Sequence, residues 1–153
     1  MTTETTTQLE ALLTADGTTL PERLDHWAQT TPQAICLYDG ETDREYTYAE
    51  FGALTDAVAG SLARWGIVPG DRISVFTTNS LLAATLMFAC WKAGAIYAPV
   101  NFSYRGRLLS YQLRDTSPRL LVTDAELVER IPEVAGDLAD DADLSVAVFE
   151  DDA

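Results

Sequence analysis

Apolar residues recur along this chain at two spacings, and the changes between them mark out its elements. Residues 20–31 carry Leu20, Leu24 and Trp27 on one side, with Thr19 as a cap and Pro21 and Glu22 in the first turn. That pattern predicts a helix, ended by Pro32. Residues 34–38 and 44–47 read as two short strands joined through an Asp39-Gly40 turn, a hairpin. Thr47-Tyr48-Ala49-Glu50 is a capping box. It opens a helix on which Phe51, Leu54, Val58, Leu62 and Trp65 share a face, closed by Gly66 as a left-handed cap. Val68-Pro69-Gly70-Asp71 is a turn, and residues 72–77 read as a buried strand. Asn79 or Ser80 caps a helix that runs to Ala93, apolar almost all round and so expected to be covered on several sides; Gly94 ends it. A strand follows over 95–100, then an amphipathic helix over 105–115 with Leu108, Leu109 and Leu113 on one side, broken by Ser117-Pro118. Residues 119–123 form the next strand. Asp124 is expected to cap a helix over 125–131, and 145–149 forms a last strand beyond the acidic connection 137–143.

From Arg72 onward, strands and helices alternate through short connections, and the strands are apolar. This predicts an α/β fold: a mostly parallel sheet with helices on both faces, preceded by a short N-terminal hairpin. Residues 1–18 read as a polar, mobile tail, and 19–153 as one subdomain.

Charge narrows the function. The 153 residues carry 24 acidic and 10 basic side chains, a net charge of -14. Such a surface repels phosphate backbones and anionic membranes, which argues against nucleic-acid and membrane roles. No apolar stretch reaches the roughly 18 residues of a membrane span; the run 81–89 is interrupted by Thr85 and followed by Lys92. The N-terminus lacks the basic and apolar regions of a secretory signal, so a cytoplasmic location is expected. Lys92 is the only lysine. Acid-rich, lysine-poor surfaces suit a salt-rich cytoplasm, where screening removes self-repulsion, so a halophilic host is expected. Cys36 and Cys90 sit in apolar stretches and read as reduced core thiols. With lone His26 they make no zinc spacing.

Candidate chemistry is sparse. The sequence has no GxxxxGK(S/T), no GxGxxG and no GxSxG, and no Ser/His/Asp set stands out. In parallel sheets ligands bind beyond the carboxyl ends of the strands. There the candidates are Thr77, Thr78, Asn79 and Ser80 after one strand, and Asn101, Phe102, Ser103 and Tyr104 after the next. The Asn79-Ser80 step opens a helix whose free amides could hold an anion, although simple capping accounts for the same residues. Arg105 and Arg107 read as a salt link at a helix start, with a phosphate contact as the other possibility. The acidic pairs Asp140-Asp141 and Asp151-Asp152 read as solvated surface.

Several segments, taken in order, resemble one family. Tyr46-Thr47-Tyr48-Ala49-Glu50-Phe51 resembles the first core motif of the adenylate-forming (AMP-binding) superfamily, which includes acyl-CoA synthetases, aryl-CoA ligases, luciferases and peptide-synthetase adenylation domains. Gly66-Ile67-Val68-Pro69-Gly70-Asp71-Arg72-Ile73 resembles its GV-x-GDRV segment, and Asn79-Ser80 its next helix start. The run from Trp91-Lys92-Ala93-Gly94-Ala95 through Pro99-Val100-Asn101 is similar to its second core motif. Arg105-Gly106, Leu109, Tyr111, Leu113 and Leu120-Leu121-Val122-Thr123-Asp124 resemble the helix and strand that follow. The resemblance covers residues 20–124. Its Val100-Asn101 ending and Tyr111-x-Leu113 helix lean toward acyl-CoA ligases over peptide synthetases.

The resemblance implies the N-terminal portion of an acyl-CoA synthetase, of haloarchaeal type given the acidic surface. The full-length enzyme would join a carboxylate to AMP with release of pyrophosphate and pass the acyl group to CoA, using ATP, Mg2+ and CoA. In that family the Ser/Thr/Gly-rich phosphate loop, the acyl pocket, the ribose-binding Asp and the C-terminal domain with its catalytic Lys lie beyond the motifs present here. The resemblance therefore assigns no catalytic, cofactor-binding or metal-binding residue, and Lys92 is not the adenylation lysine. The expectation is a fragment that is inactive alone and exposes an apolar sheet edge that favours self-association. The other reading is a free-standing, non-catalytic α/β interaction or regulatory module. A receiver-type signalling domain would need acidic residues where this chain has Thr77, Thr78, Asn79 and Asn101.

Overall fold

A computed structural model describes residues 19–78, 80–138 and 144–149. The expected tail over 1–18 lies outside the described residues. The elements are helix α1 (Leu20–Thr30), strands β1 (Ile35–Asp39) and β2 (Arg44–Thr47), helix α2 (Tyr48–Arg64), strand β3 (Arg72–Phe76), helix α3 (Leu81–Lys92), strand β4 (Ile96–Pro99), helix α4 (Gly106–Thr116), strand β5 (Leu120–Asp124), a 3-10 turn (Val128–Arg130), the short helix α5 (Ala135–Leu138) and strand β6 (Ser145–Phe149). β1 and β2 form an antiparallel hairpin. The other four strands form one parallel sheet in the order β4-β3-β5-β6.

β3 is the strand the rest is built around. Ile73, Ser74, Val75 and Phe76 are all 3% exposed or less, which requires cover on both faces. Alternation supplies two apolar sets. Ile73 and Val75, with Leu120 and Val122 of β5, pack against Leu62 of α2 and Leu86, Ala89 and Cys90 of α3. Phe76 and Leu121 pack on the other face against Leu109 and Leu113 of α4, with Leu127 and Val134. A third, smaller core joins α1, the hairpin and α2 through Leu24, Tyr46 and Phe51.

Local chemistry sets the helix ends. Thr47 and Glu50 form the expected capping box: the Thr47 N–H donates to Glu50 Oε2 at 2.9 Å, and the Glu50 N–H donates to Thr47 Oγ1 at 3.2 Å. Thr19 and Glu22 form a second box that sequence reading recognised only as a Thr19 cap. Bonding to the Thr19 and Thr47 backbones holds both carboxyls below the usual glutamate range. At the other end, α2 and α3 finish in the same way. Gly66 (φ 81°) and Gly94 (φ 71°) are left-handed. Ile67 N–H donates to Leu62 O at 3.1 Å, and Ala95 N–H to Cys90 O at 2.8 Å, each pair apolar and buried. The 68–71 turn joins them, since Gly70 N–H donates to Gly94 O at 2.9 Å. Pro69 lies over Gly94, so that a Cβ there would meet Pro69 Cβ at 3.1 Å.

The single lysine has a structural position. Lys92 is 9% exposed and its Nζ donates to Asp25 of α1 and Asp56 of α2, each at 2.6 Å. Burial alone would lower the Lys92 pKa, but the two carboxylates more than offset it and hold the pKa above the usual lysine value. Because the folded pKa is raised, this contribution is intact at neutral pH and is lost only as pH rises through that raised value.

Some expectations need correction. Leu20 (57% exposed), Trp27 (43%), Trp65 (61%) and Leu108 (61%) do not join the core faces assigned to them. Trp65 is the C-cap of α2 and has left the last turn, and Leu108 sits one position off the buried Leu109–Leu113 line. The helix over 125–131 is a 3-10 turn, with Arg130 N–H bonded to Leu127 O and Ile131 N–H to Val128 O, both at 3.0 Å. So short a segment cannot offset helix nucleation, and the tighter turn brings both Leu127 and Val134 into the core.

Two substitutions test this architecture. Gly66→Ala meets open space and should cost only its left-handed backbone, about 1 kcal/mol in urea unfolding. Gly94→Ala adds the Pro69 clash and should cost about 2 kcal/mol or more; equal losses would contradict the close packing. Lys92→Met should lower stability by about 1–2 kcal/mol and speed amide exchange in α1. Unchanged exchange there would show that the two ion pairs hold nothing.

Candidate functional site

The chain leaves β3 to form β4 on one side and returns to form β5 on the other, so the sheet changes direction between β3 and β5. The crevice beyond their carboxyl ends is where a doubly wound sheet takes a ligand. Thr77 and Thr78 follow β3 there, and Asp124 ends β5. The structure ties Thr78 to Asp124, while the buried Thr77 hydroxyl has no hydrogen-bond partner among the described residues. Asp124 Oδ2 accepts from the Thr78 N–H at 3.0 Å, and Oδ1 accepts from the Leu127 N–H at 2.8 Å. Thr123 is fully buried and Thr77 is 6% exposed. One carboxylate thus bridges the two central strands and starts the next turn. Sequence reading saw only the second role, a cap for residues after Asp124. The bridge to Thr78 spans 46 residues and has no local signal.

The other predicted positions are similarly engaged. Ser80 is the backbone N-cap of α3 but makes no capping bond; its Oγ donates to Thr78 O at 3.4 Å. Asn79 lies outside the described residues. Asn101 Oδ1 accepts from the Ser103 N–H at 2.9 Å, and Asn101 O accepts from the Tyr104 N–H at 2.9 Å, a self-contained turn. Phe102 O accepts from Arg130, whose guanidinium lies 5.9 Å from the Phe76 ring centroid. The structure therefore does not gather the strand-end residues around a shared ligand space. The salt link expected at Arg105 and Arg107 is absent among the described residues. Arg105 occupies the N-cap of α4 without a side-chain bond.

The remaining candidates are structural. Cys90 is fully buried and its thiol is pushed up to about 12 by desolvation; burial also raises Cys36. Thiols held protonated in this way make poor nucleophiles and metal ligands. His26 lies edge-on to Trp27 at 5.2 Å. No group of three or more His, Cys, Asp or Glu among the described residues could hold a metal ion. Asp140-Asp141 and Asp151-Asp152 lie outside those residues. The larger grooves lie elsewhere: one of about 690 Å³ beside Trp65 and β6, and one of about 690 Å³ on α4, bordered by Arg107, Tyr111, Arg114 and Asp137.

Fold and site together define a doubly wound α/β domain in which Thr78, Asp124 and Asn101 at the strand ends bond within the protein, while the buried Thr77 hydroxyl has no partner among the described residues. Residues 24–152 match the AMP-binding enzyme family, and the chain belongs to it. It is 36% identical over 100 residues to malpibaldin synthetase of Mortierella alpina, covering 65% of this chain and 2% of that protein. It is 30% identical over 136 residues to feruloyl-CoA synthase of Amycolatopsis sp, covering 82% of this chain and 27% of that protein. A fatty acyl CoA synthetase from Mycobacterium tuberculosis superposes with a TM-score of 0.77 at 23% identity, over 86% of this chain and 26% of that one. The fold is thus that of the N-terminal part of adenylate-forming enzymes. The chain spans about a quarter or less of the length of these relatives.

Asp124→Ala should strand the Thr78 and Leu127 amides and destabilise the protein by about 2 kcal/mol in urea unfolding, with Asp124→Asn costing less. A loss within about 0.5 kcal/mol, typical of an unengaged surface position, would show that the bridge is not structural.

Proposed function

We propose that this chain is the N-terminal subdomain of an ATP-dependent acyl-CoA synthetase, built to position polypeptide that carries the reacting groups. The family match over residues 24–152 carries this reading. The likeness to feruloyl-CoA synthase over 82% of the chain supports thioester formation over peptide synthesis, although relatives of both kinds are present. In this reading the whole enzyme converts a carboxylate and ATP to an acyl adenylate and then to acyl-CoA, with Mg2+ offsetting phosphate charge. The described residues do not fit ATP or Mg2+. The crevice carboxylate is spent on Thr78 and Leu127, and Arg130, whose guanidinium lies 5.9 Å from the Phe76 ring at the end of β3, is bonded to Phe102 O. No step of the reaction is therefore assigned to them, and no catalytic, cofactor or metal residue is proposed within the chain.

Residues 19–153 act as one subdomain in this reading, with 1–18 as a tail, in the cytoplasm of a salt-rich cell. β6 supports the first point. Among the described residues it is an edge strand of the sheet, and Val146, Val148 and Phe149 are 44–46% exposed beside an exposed Trp65. An apolar edge of this kind is a surface for more sheet or, failing that, for self-association. A second reading, a non-catalytic interaction module, is favoured by one feature, the exposed Arg105, Arg107 and Arg114 on α4 and its N-cap.

The test is ATP–pyrophosphate exchange on the 153-residue polypeptide with a panel of carboxylates. The expected result is no exchange above the blank, together with a melting temperature that rises from low to molar KCl. Robust exchange would overturn the scaffold reading, and a flat salt response would overturn the halophilic one.

A further inference from the structure

We propose that the chain's own segment 8–14 docks, as a short amphipathic helix, on the sheet face left open beside Trp65. Cover on the sheet is uneven. On one face, α2 and α3 close over β3 and β5, with Leu62, Leu86, Ala89 and Cys90 packed on Ile73, Val75, Leu120 and Val122. β6 adds only Ala147, partly buried, to that core. The register explains the gap. Ser145 and Ala147 pair with Leu120 and Val122, so they stand on the α2 face, and their side chains are too small to fill the space beside α2. The result is a groove of about 690 Å³ whose lining includes Trp65, Ile67, Arg119, Leu120, Ser145 and Ala147.

The start of α1 lies close to this groove. α1 runs antiparallel to α2: Pro32 O accepts from the Ala49 N–H at 3.1 Å, a Cβ on Gly52 would meet Ala28 Cβ at 3.3 Å, and Lys92 ties Asp25 to Asp56. Thr19 lies nine residues before Ala28 and Ser61 nine residues after Gly52, so the two are level, each about 14 Å along its helix. Trp65 is one turn past Ser61, about 6 Å further. Arg119 and Ser145 lie at the same end of the sheet, where β5 and β6 begin. Residues 14–18 span up to about 18 Å when extended, enough to pass the roughly 10 Å width of α2 and reach the groove. Apart from Met1, the bulky apolar residues of 1–18 are Leu9, Leu12 and Leu13, at i, i+3 and i+4. That spacing puts all three on one side of a helix. Asp16-Gly17, between them and α1, is turn chemistry.

Tethering selects the occupant. Among the described residues, the one charged side chain lining the groove is Arg119, and its Nε already lies 3.5 Å from Asp71, so charge does not choose the partner. Apolar burial does. Every copy of the chain carries its own Leu9, Leu12 and Leu13 on a short linker, at an effective concentration on the order of millimolar. A second copy would bring another net charge of -14 against the same face, whereas docking in cis adds no charge to the molecule. Docking uses the α2 face of β6 rather than its hydrogen-bonding edge and takes no part in acyl transfer, so it can fail without the acyl-CoA synthetase reading, and the reverse.

The test is isotope-edited NMR on the 153-residue chain. The expected result is nuclear Overhauser contact from the Leu9, Leu12 or Leu13 methyls to the Trp65 indole and the Ala147 methyl, retained in molar KCl because apolar burial is not screened. L12D/L13D should abolish those contacts, shift the Trp65 and Ala147 resonances, and raise binding of a dye that reports exposed apolar surface. T5D/T6D, which adds the same charge outside the segment, should change none of these. Trp65→Ala, at an exposed position, should return the Leu12 and Leu13 methyls to the shifts of an unstructured peptide, and circular dichroism would show that each variant is folded. Absence of the contacts in the wild-type chain would overturn the proposal. So would Trp65 and Ala147 resonances unmoved in L12D/L13D, or contacts that arise between labelled and unlabelled copies in a mixed sample, which would assign the groove to a second copy.

Discussion

A strand covered on both faces has no place for an unpaired backbone group, and β3 is such a strand; its one buried polar side chain, the Ser74 hydroxyl, has no hydrogen-bond partner among the described residues. Its amides and carbonyls are shared between β4 and β5, and its side chains alternate between two separate apolar cores. The flanking helices follow from that demand. α2 and α3 close one face and α4 the other, and the helix ends must turn sharply to deliver the chain back to the sheet. Gly66 and Gly94 provide those turns because a left-handed residue can satisfy the last helical carbonyls while reversing direction. Pro69 over Gly94 then fixes the spacing between the two returns.

The same constraint explains why so little chemistry is found where an α/β sheet usually presents it. At the point where the sheet changes direction, the Asp124 carboxylate is needed to hold β3 against β5 and to start the 3-10 turn. Asp124 serves both purposes with one carboxylate. A group so engaged cannot also coordinate a metal or act as a base without releasing two part-buried amides. The relatives described are several times longer than this chain.

Much of this was legible in the sequence because it is encoded locally. The Thr47–Glu50 box, the Gly66 and Gly94 stops and the hairpin depend on residues a few positions apart, and the alternation of strands and helices gave the parallel sense of the sheet but not its strand order. What was not legible depends on residues far apart. Lys92 finds its carboxylates 67 and 36 residues away, and Asp124 finds Thr78 at a distance of 46. Periodicity also cannot say which of two adjacent leucines faces the core, which is why Leu108 was placed beside Leu109. The missing salt link at Arg105 and Arg107 is a failure of the same kind, since composition predicts partners on an acidic chain but not their positions. Motif resemblance supplied the family, which local physics alone would have left as an unassigned α/β domain.

The Asp124 carboxylate in the strand-end crevice is occupied by the protein's own amides, those of Thr78 and Leu127. An amide NMR titration of the 153-residue chain with Mg2+ and ATP tests this most directly. The account predicts that the Thr77, Thr78, Asp124 and Leu127 resonances do not move with added nucleotide. Saturable shifts at those four positions would show an open ligand site where the structure places a structural bridge.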